Sequence, residues 1–240
     1  MFDIKWTVLG CEGPFPSAAG ATSGYLLEIG TAKGEKRFLV DCGSGIAARV
    51  QQYTAFSGLD GVIVTHMHYD HSGDLGVLSY GLSFSDCRLP LYAPCEEGMY
   101  GGAFDYHRLT AETQIGEEDF QITFFSTVHP VECYGLKVRS GAAVLVYTSD
   151  TVLTDRLAAD CLGAGTLIAD GNFVTKKNPE AKGPHMTVSQ CGALAEAIGA
   201  EQLVVTHLSP QIPLALYEEE AAEWGAAVAR PGMQLTINVK

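Results

Sequence analysis

The sequence predicts a layered α/β fold, and three observations carry that prediction. The chain has 240 residues, 47% of them hydrophobic, which suits the core of one large domain over residues 1–240. Short, continuously apolar runs alternate with helical segments, as expected for strands buried on both faces. Four of these runs, over 62–66, 122–129, 144–150 and 203–207, end in a metal-competent residue: His66, His129, Asp150 and His207. Two of them are near echoes, Val-Ile-Val-Thr-His66 and Val-Val-Thr-His207. Strand ends in layered α/β folds feed loops along one edge of the sheets, so these side chains are expected to converge there.

Taken in order, residues 4–9 alternate loosely and read as a strand. Residues 10–24 form a loop rich in Gly, Pro, Ser and Ala, without the Gly-Lys-Ser/Thr ending of a phosphate-cradling loop. A strand over 25–29, a polar turn over 32–36 and a strand over 38–40 follow, ending in Asp41-Cys42-Gly43-Ser44-Gly45. A helix is expected over 46–56, and then the run at 62–64. Residues 94–119 hold several glycines, three aromatic residues and a cluster of acidic ones, and suit a lid, a dimer contact or a plain surface excursion. The run at 167–170 places Asp170 at a further strand end, where it would support the ligands. Thr187 and Gln190 form a Thr-x-x-Gln capping box that opens an Ala-rich helix to about residue 200. A helix over 214–224, a Pro-Gly turn and a strand over 233–239 complete the chain as structural elements.

The chemistry concentrates in residues 65–73, Thr-His-Met-His-Tyr-Asp-His-Ser-Gly. Imidazole nitrogen and carboxylate oxygen are preferred ligands of Zn²⁺ and its first-row neighbours. His66 and His68, two residues apart on extended backbone, point the same way and can grip one ion. Asp70 and His71 lie where the chain turns toward a helix and can diverge toward a second. A helix-capping turn alone would account for an Asp-His pair, but not for three histidines and an aspartate in six residues. Of the seven histidines only His107 lacks such a context, and it reads as a surface residue.

Composition narrows the function classes. With 15 basic and 28 acidic residues the formal charge is −13; two bound divalent ions bring it to −13 + 4 = −9. The sequence lacks the basic stripe that grips long nucleic acids. Lys176, Lys177 and Lys182, shortly before His185, are candidate substrate-binding residues or ordinary solvated lysines. No apolar run spans a bilayer and no secretory leader is visible, so a soluble cytoplasmic protein without a membrane partner is expected. Seven cysteines without a Cys-x-x-Cys pair read as reduced interior residues.

His-x-His-x-Asp-His at 66–71, with His129, Asp150 and His207 following in that order, resembles the metallo-β-lactamase superfamily. The resemblance covers most of the chain and implies an αββα sandwich of two mixed β-sheets flanked by helices, with a two-zinc site at one edge. It implies that His66, His68 and His129 hold one metal, that Asp70, His71 and His207 hold the other, and that Asp150 bridges them. Asp41, in Leu-Val-Asp-Cys-Gly, matches the motif that supports the ligands from behind. The opening Leu-Gly-Cys-Glu-Gly-Pro-Phe-Pro, the Asp-His-Ser-Gly-Asp-Leu segment and Thr206-His207-Leu208-Ser209-Pro210 are similar to the ribonuclease Z branch and its phosphodiesterase relatives. Gly183-Pro184-His185-Met186-Thr187 resembles that branch's Gly-His-x-Thr segment, with one residue inserted. The long tRNA-clamping arm of that branch is missing between His129 and Asp150, which only twenty residues separate.

These readings imply a binuclear metal-dependent hydrolase that cleaves a small nucleotide-type phosphodiester, for example a cyclic nucleotide, through a metal-bridging hydroxide. Asp70 and His185 are the catalytic candidates, Asp70 orienting the hydroxide and His185 supplying a hydrogen bond or proton to the phosphoryl or leaving oxygen. The alternatives are tRNA 3′-end processing, where nucleic acid is the partner, and a thioesterase or lactonase using the same two metals. Manganese is the alternative to zinc. A homodimer is compatible with the resemblance, but no interface is legible.

Overall fold

The computed structural model describes residues 3–95 and 97–238. Two seven-stranded mixed sheets pack face to face. The first contains β1 (Ile4–Gly10), β2 (Gly24–Thr31), β3 (Gly34–Val40), β4 (Gly61–Ile63), β5 (Leu89–Ala93) and β6 (Phe104–Arg108). The second contains β7 (Gln114–Gly116), β8 (Phe120–Ser126), β9 (Tyr134–Ser140), β10 (Ala143–Tyr147), β11 (Thr166–Asp170), β12 (Gln202–Thr206) and β13 (Ala227–Val228). The last strand, β14 (Gln234–Ile237), returns to the first sheet and pairs with β1. The strand orders are β14-β1-β2-β3-β4-β5-β6 and β13-β12-β11-β10-β9-β8-β7.

Each sheet is antiparallel at one side and parallel at the other, because hairpins join neighbours on one side and helical crossovers join them on the other. α1 (Ile46–Val50) crosses from β3 to β4; α2 (Tyr69–Ser72) and α3 (Leu75–Leu82) cross from β4 to β5. In the second sheet α4 (Asp155–Cys161), α5 (Val188–Ile198) and α6 (Leu214–Ala222) connect the parallel strands β10 to β13. Buried Leu26, Leu39, Val62, Leu75 and Leu78 fill the layer between the first sheet and its helices. A larger core, including Trp6, Leu27, Leu136 and Val146, fills the space between the sheets and continues under α4 to α6. Side chains of this kind stabilise by about 1.5–3 kcal/mol each when fully buried, so the inner faces set the register. The expected αββα sandwich is the observed architecture.

Several boundaries differ from expectation. β3 begins at Gly34, because Glu35, Lys36 and Arg37 pair with β2 while Lys36 meets Asp60, and Arg37 meets Glu28 and Glu35, in ion pairs. α1 stops at Val50: Gln51, Gln52 and Tyr53 are exposed and have no apolar face to bury. Residues 94–119 supply β6 and β7, one edge strand to each sheet. The last expected strand ends at Ile237, and Val239 lies outside the described residues. All seven cysteines are free, six of them buried. Among the described residues, no helix is long and apolar enough to cross a membrane.

Candidate metal centre

The parallel strands deliver the site. Asp41 follows β3, residues 65–71 follow β4, Asp150 follows β10, Asp170 ends β11 and His207 follows β12. Their carboxyl ends share one edge, as expected where α/β strands feed their loops. The turns are sharp: Asp41, Ser149 and His207 adopt left-handed backbone, with φ of 58°, 53° and 59°. A non-glycine residue pays for such a conformation, and in this chain it marks a sharp turn just after the strand end.

The predicted ligands meet in two clusters that share Asp150. One joins His66, His68, His129 and Asp150; the other joins Asp70, His71, Asp150 and His207, with the candidate ligand atoms of each within 4.8 Å of one another. In the first, His68 Nδ1 lies 3.1 Å from His66 Nε2 and 3.0 Å from His129 Nε2. In the second, His207 Nε2 lies 3.1 Å from Asp70 Oδ2 and 3.4 Å from Asp150 Oδ2. His71 Nε2 lies 3.3 Å from Asp150 Oδ1, yet neither atom has a hydrogen-bond partner although both are buried. An unmatched buried polar atom costs about 1–3 kcal/mol, and a cation coordinated between them removes that cost. The donor set, imidazole nitrogens with carboxylates and no thiolate, fits zinc or manganese.

Electrostatics divides the two clusters. Burial depresses the proton affinity of His66 and neighbouring His71 adds to it, while Asp150 opposes; His129 is lowered chiefly by burial, again against Asp150. These rings are therefore neutral at pH 7, the form that donates a lone pair to a metal. His71 is also buried, but Asp150 and Asp41 outweigh the burial and hold it well above the ordinary histidine range. His207 is pushed up to about 10, since burial is outweighed by Asp150, Asp170 and Asp70. Asp150 is held well below the usual carboxylate range, burial being overcome by His207, His71 and His66. Carboxylates that draw protons onto buried imidazoles will hold a divalent cation in their place.

Hydrogen bonds behind the candidate ligands fix their rings. Asp41 accepts from His71 Nδ1 at 2.8 Å, from the Thr65 amide at 2.8 Å and from the Tyr147 hydroxyl at 3.1 Å. With Nδ1 occupied, His71 presents Nε2 to Asp150. Asp170 accepts from His185 Nδ1 at 2.8 Å and from the Thr151 amide at 3.1 Å, and its other oxygen lies 3.4 Å from His207 Nδ1. His185, Asp170, Asp150 and His207 thus form a third cluster. His185 sits in the loop before α5, whose capping box forms in both directions as expected.

The candidate lysines are exposed, and two of them are engaged in ion pairs. Lys176 pairs with Glu219 at 2.6 Å, Lys182 pairs with Glu180, and Lys177 is exposed. His107 is exposed and stacks on Tyr92. Sequence reading missed Tyr147, Ser149 and Asn172. Ser149 donates to Thr65 Oγ1 at 2.8 Å, and the Asn172 amide meets the His207 carbonyl at 2.8 Å. Their signal was position: each is a polar residue at or just beyond the end of an apolar run that carries a ligand or its support.

A sequence profile described as a beta-lactamase superfamily domain matches residues 36–208. The probable metallo-hydrolase YhfI of Bacillus subtilis is 33% identical over 222 residues, covering 85% of this chain and 87% of that protein. The crystal structure of YhfI superimposes with a TM-score of 0.89 over 98% of this chain and 100% of its own, at 30% identity. A ribonuclease Z of Mycobacterium sp. (strain KMS) is 28% identical, covering 94% of this chain and 90% of its own. The short form of human tRNase Z shares the fold at a TM-score of 0.78 and 20% identity, over 98% of this chain and 99% of that one. The profile match, the identity to YhfI and the paired His/Asp clusters lead to one assignment: this chain belongs to the beta-lactamase superfamily, as a metallo-hydrolase.

Proposed function

We propose that this protein is a binuclear phosphodiesterase acting on a small nucleotide-type diester, such as a cyclic nucleotide. In this reading His66, His68 and His129 hold one zinc ion, Asp70, His71 and His207 the other, and Asp150 lies between them. Bound there, two divalent ions supply Lewis-acid charge and bring the pKa of a coordinated water down to about 7. Asp70, beside His207, orients the attacking oxygen.

The observation that carries the reading is the His185–Asp170 pair. His185 commits Nδ1 to Asp170 at 2.8 Å, its side chain is 11% exposed, and it belongs to neither of the two clusters assigned to the ions. That arrangement leaves Nε2 as the nitrogen a substrate meets, with Asp170 stabilising the ring when it carries a second proton. A diester expels an alkoxide, which like hydroxide (conjugate acid about 15.7) needs a proton to leave. A thioester expels a thiolate, whose conjugate acid is near 8.5, and has less use for such a group. The ribonuclease Z relatives support phosphodiester chemistry, while the span from His129 to Asp150 is taken up by the β9–β10 hairpin and its flanking loops, which favours a small substrate over tRNA. The surface partners of Lys176 and Lys182, and the charge of −13, favour it too.

The test is hydrolysis of bis(p-nitrophenyl) phosphate by protein reconstituted with zinc or manganese, beside a thioester, a lactone and an Asp150→Ala control. Metal-dependent diester cleavage that disappears in the control is the expected outcome. Turnover of the thioester or lactone alone by fully metallated protein overturns the phosphodiesterase reading.

A further inference from the structure

We infer that Asn172 is a positioning residue that clamps the ligand His207 to the loop between β1 and β2, and so governs the affinity of the second metal site. The inference rests on the reading of His207 as a ligand. Asn172 is 3% exposed and follows the end of β11. Its Nδ2 donates to the His207 carbonyl at 2.8 Å and to the Gly13 carbonyl at 3.1 Å. A side-chain amide has two N–H groups, and both are used on these two carbonyls. The bonds also fix the amide's orientation, because its oxygen in that place would face two carbonyl oxygens.

Two consequences follow for His207. Its backbone, at φ 59°, is held by the bond to its carbonyl in a conformation a non-glycine residue does not choose unaided. Its Nδ1 lies 3.3 Å from Asn172 Nδ2, but with both amide hydrogens committed that lone pair has no donor there. Nδ1 therefore keeps its N–H toward Asp170 Oδ1, and Nε2, which faces Asp70 and Asp150, is the nitrogen left for a metal. Gly13 closes the arrangement from the other side: a Cβ built on it would lie 2.1 Å from His207 Nε2, so the loop backbone sits directly against the ligand nitrogen. Asn172 is itself held through its backbone, whose N–H donates to Asp170 Oδ1 at 3.1 Å and whose carbonyl accepts from the Tyr217 hydroxyl.

The test is zinc titration against a chromophoric chelator for the wild type, Asn172→Ala, Asn172→Asp and His207→Ala, with melting of each metal-free protein beside it. Wild type is expected to bind two equivalents and His207→Ala to lose one. Asn172→Ala and Asn172→Asp are expected to keep one equivalent at wild-type affinity and to weaken the other about 10- to 100-fold, the usual effect of removing a residue that orients a ligand. Should Asn172→Ala fail to fold, Asn172→Ser, which keeps one donor, is expected to weaken the same equivalent by less. Equal weakening of both equivalents, or a lowered metal-free melting temperature with no selective loss, makes Asn172 an ordinary structural residue and overturns the clamp. Two tight equivalents in His207→Ala remove the ligand assignment and the clamp with it; loss of one there, with unchanged zinc binding in the Asn172 variants, removes the clamp alone.

Discussion

At the scale of single residues, the centre depends on which groups face it and how closely the backbone approaches. Gly13 has no side chain where a methyl would lie 2.1 Å from His207 Nε2. Gly13→Ala is therefore expected to displace either the loop or the imidazole and to cost one metal equivalent, measured by elemental analysis after dialysis against zinc. Retention of both equivalents would show that the loop yields freely. His185 makes the opposite prediction. Because it belongs to neither of the two clusters assigned to the ions, His185→Gln should keep both equivalents while turnover of a diester with an alkoxide leaving group falls about 10²- to 10⁴-fold, the usual contribution of a proton donor. Normal turnover in that variant would leave His185 as a residue that only braces Asp170.

At the scale of elements, α5, α6 and the loop carrying His185 are tied together by one buried carboxylate. Glu220 on α6 accepts from the Thr175 amide and hydroxyl at 2.7 and 2.6 Å, and from the Ser189 amide and hydroxyl at 2.8 and 2.6 Å. Ser189 lies in the first turn of α5, where a negative charge also meets the positive end of the helix dipole. Burial raises the pKa of this carboxyl, but the bonds from Ser189 and Thr175 prevail and hold it below its ordinary 4.5. A depressed carboxyl contributes stability that is fully present above the unfolded value and is lost as the pH falls through the folded one. Glu220→Ala should thus destabilise the protein by about 1–3 kcal/mol at pH 7, and the gap from wild type should narrow below about pH 4.5. Urea unfolding at several pH values measures it; a gap that does not change with pH would mean that shape rather than charge is what Glu220 supplies. The sequence announced α5, since its capping box is local, and it announced the side chains that gather in the two clusters, since they recur at strand ends. It did not announce Glu220, Asn172 or Tyr147, because their partners lie 45, 159 and 106 residues away. It also misplaced the start of β3, where a run of charged residues imitates a turn until the register with β2 pairs them.

At the scale of the whole molecule, a metal bound at this centre is expected to stabilise the fold as well as to serve the chemistry. The candidate ligands come from both sheets: residues 65–71 follow the first sheet's β4, while His129, Asp150 and His207 follow strands of the second. Ions held between them cross-link the two halves of the sandwich, and the unfolded chain, with its ligands scattered from 66 to 207, has no such site. A ligand that binds only the folded state stabilises it by about 2.7 kcal/mol at a hundredfold excess over its Kd. For a chain of this length each kcal/mol moves the melting temperature by about 2–4 °C. Stripping the protein with a chelator should therefore lower its melting temperature by about 5–11 °C, and zinc should restore it. Asp150→Ala isolates the cause, since Asp150 belongs to every cluster in the centre. In that variant the metal-free protein should still melt cooperatively while the rise on adding zinc shrinks to a fraction of the wild-type value. A full zinc response without Asp150 would place the stabilising ion outside this centre and separate the stability of the sandwich from its chemistry.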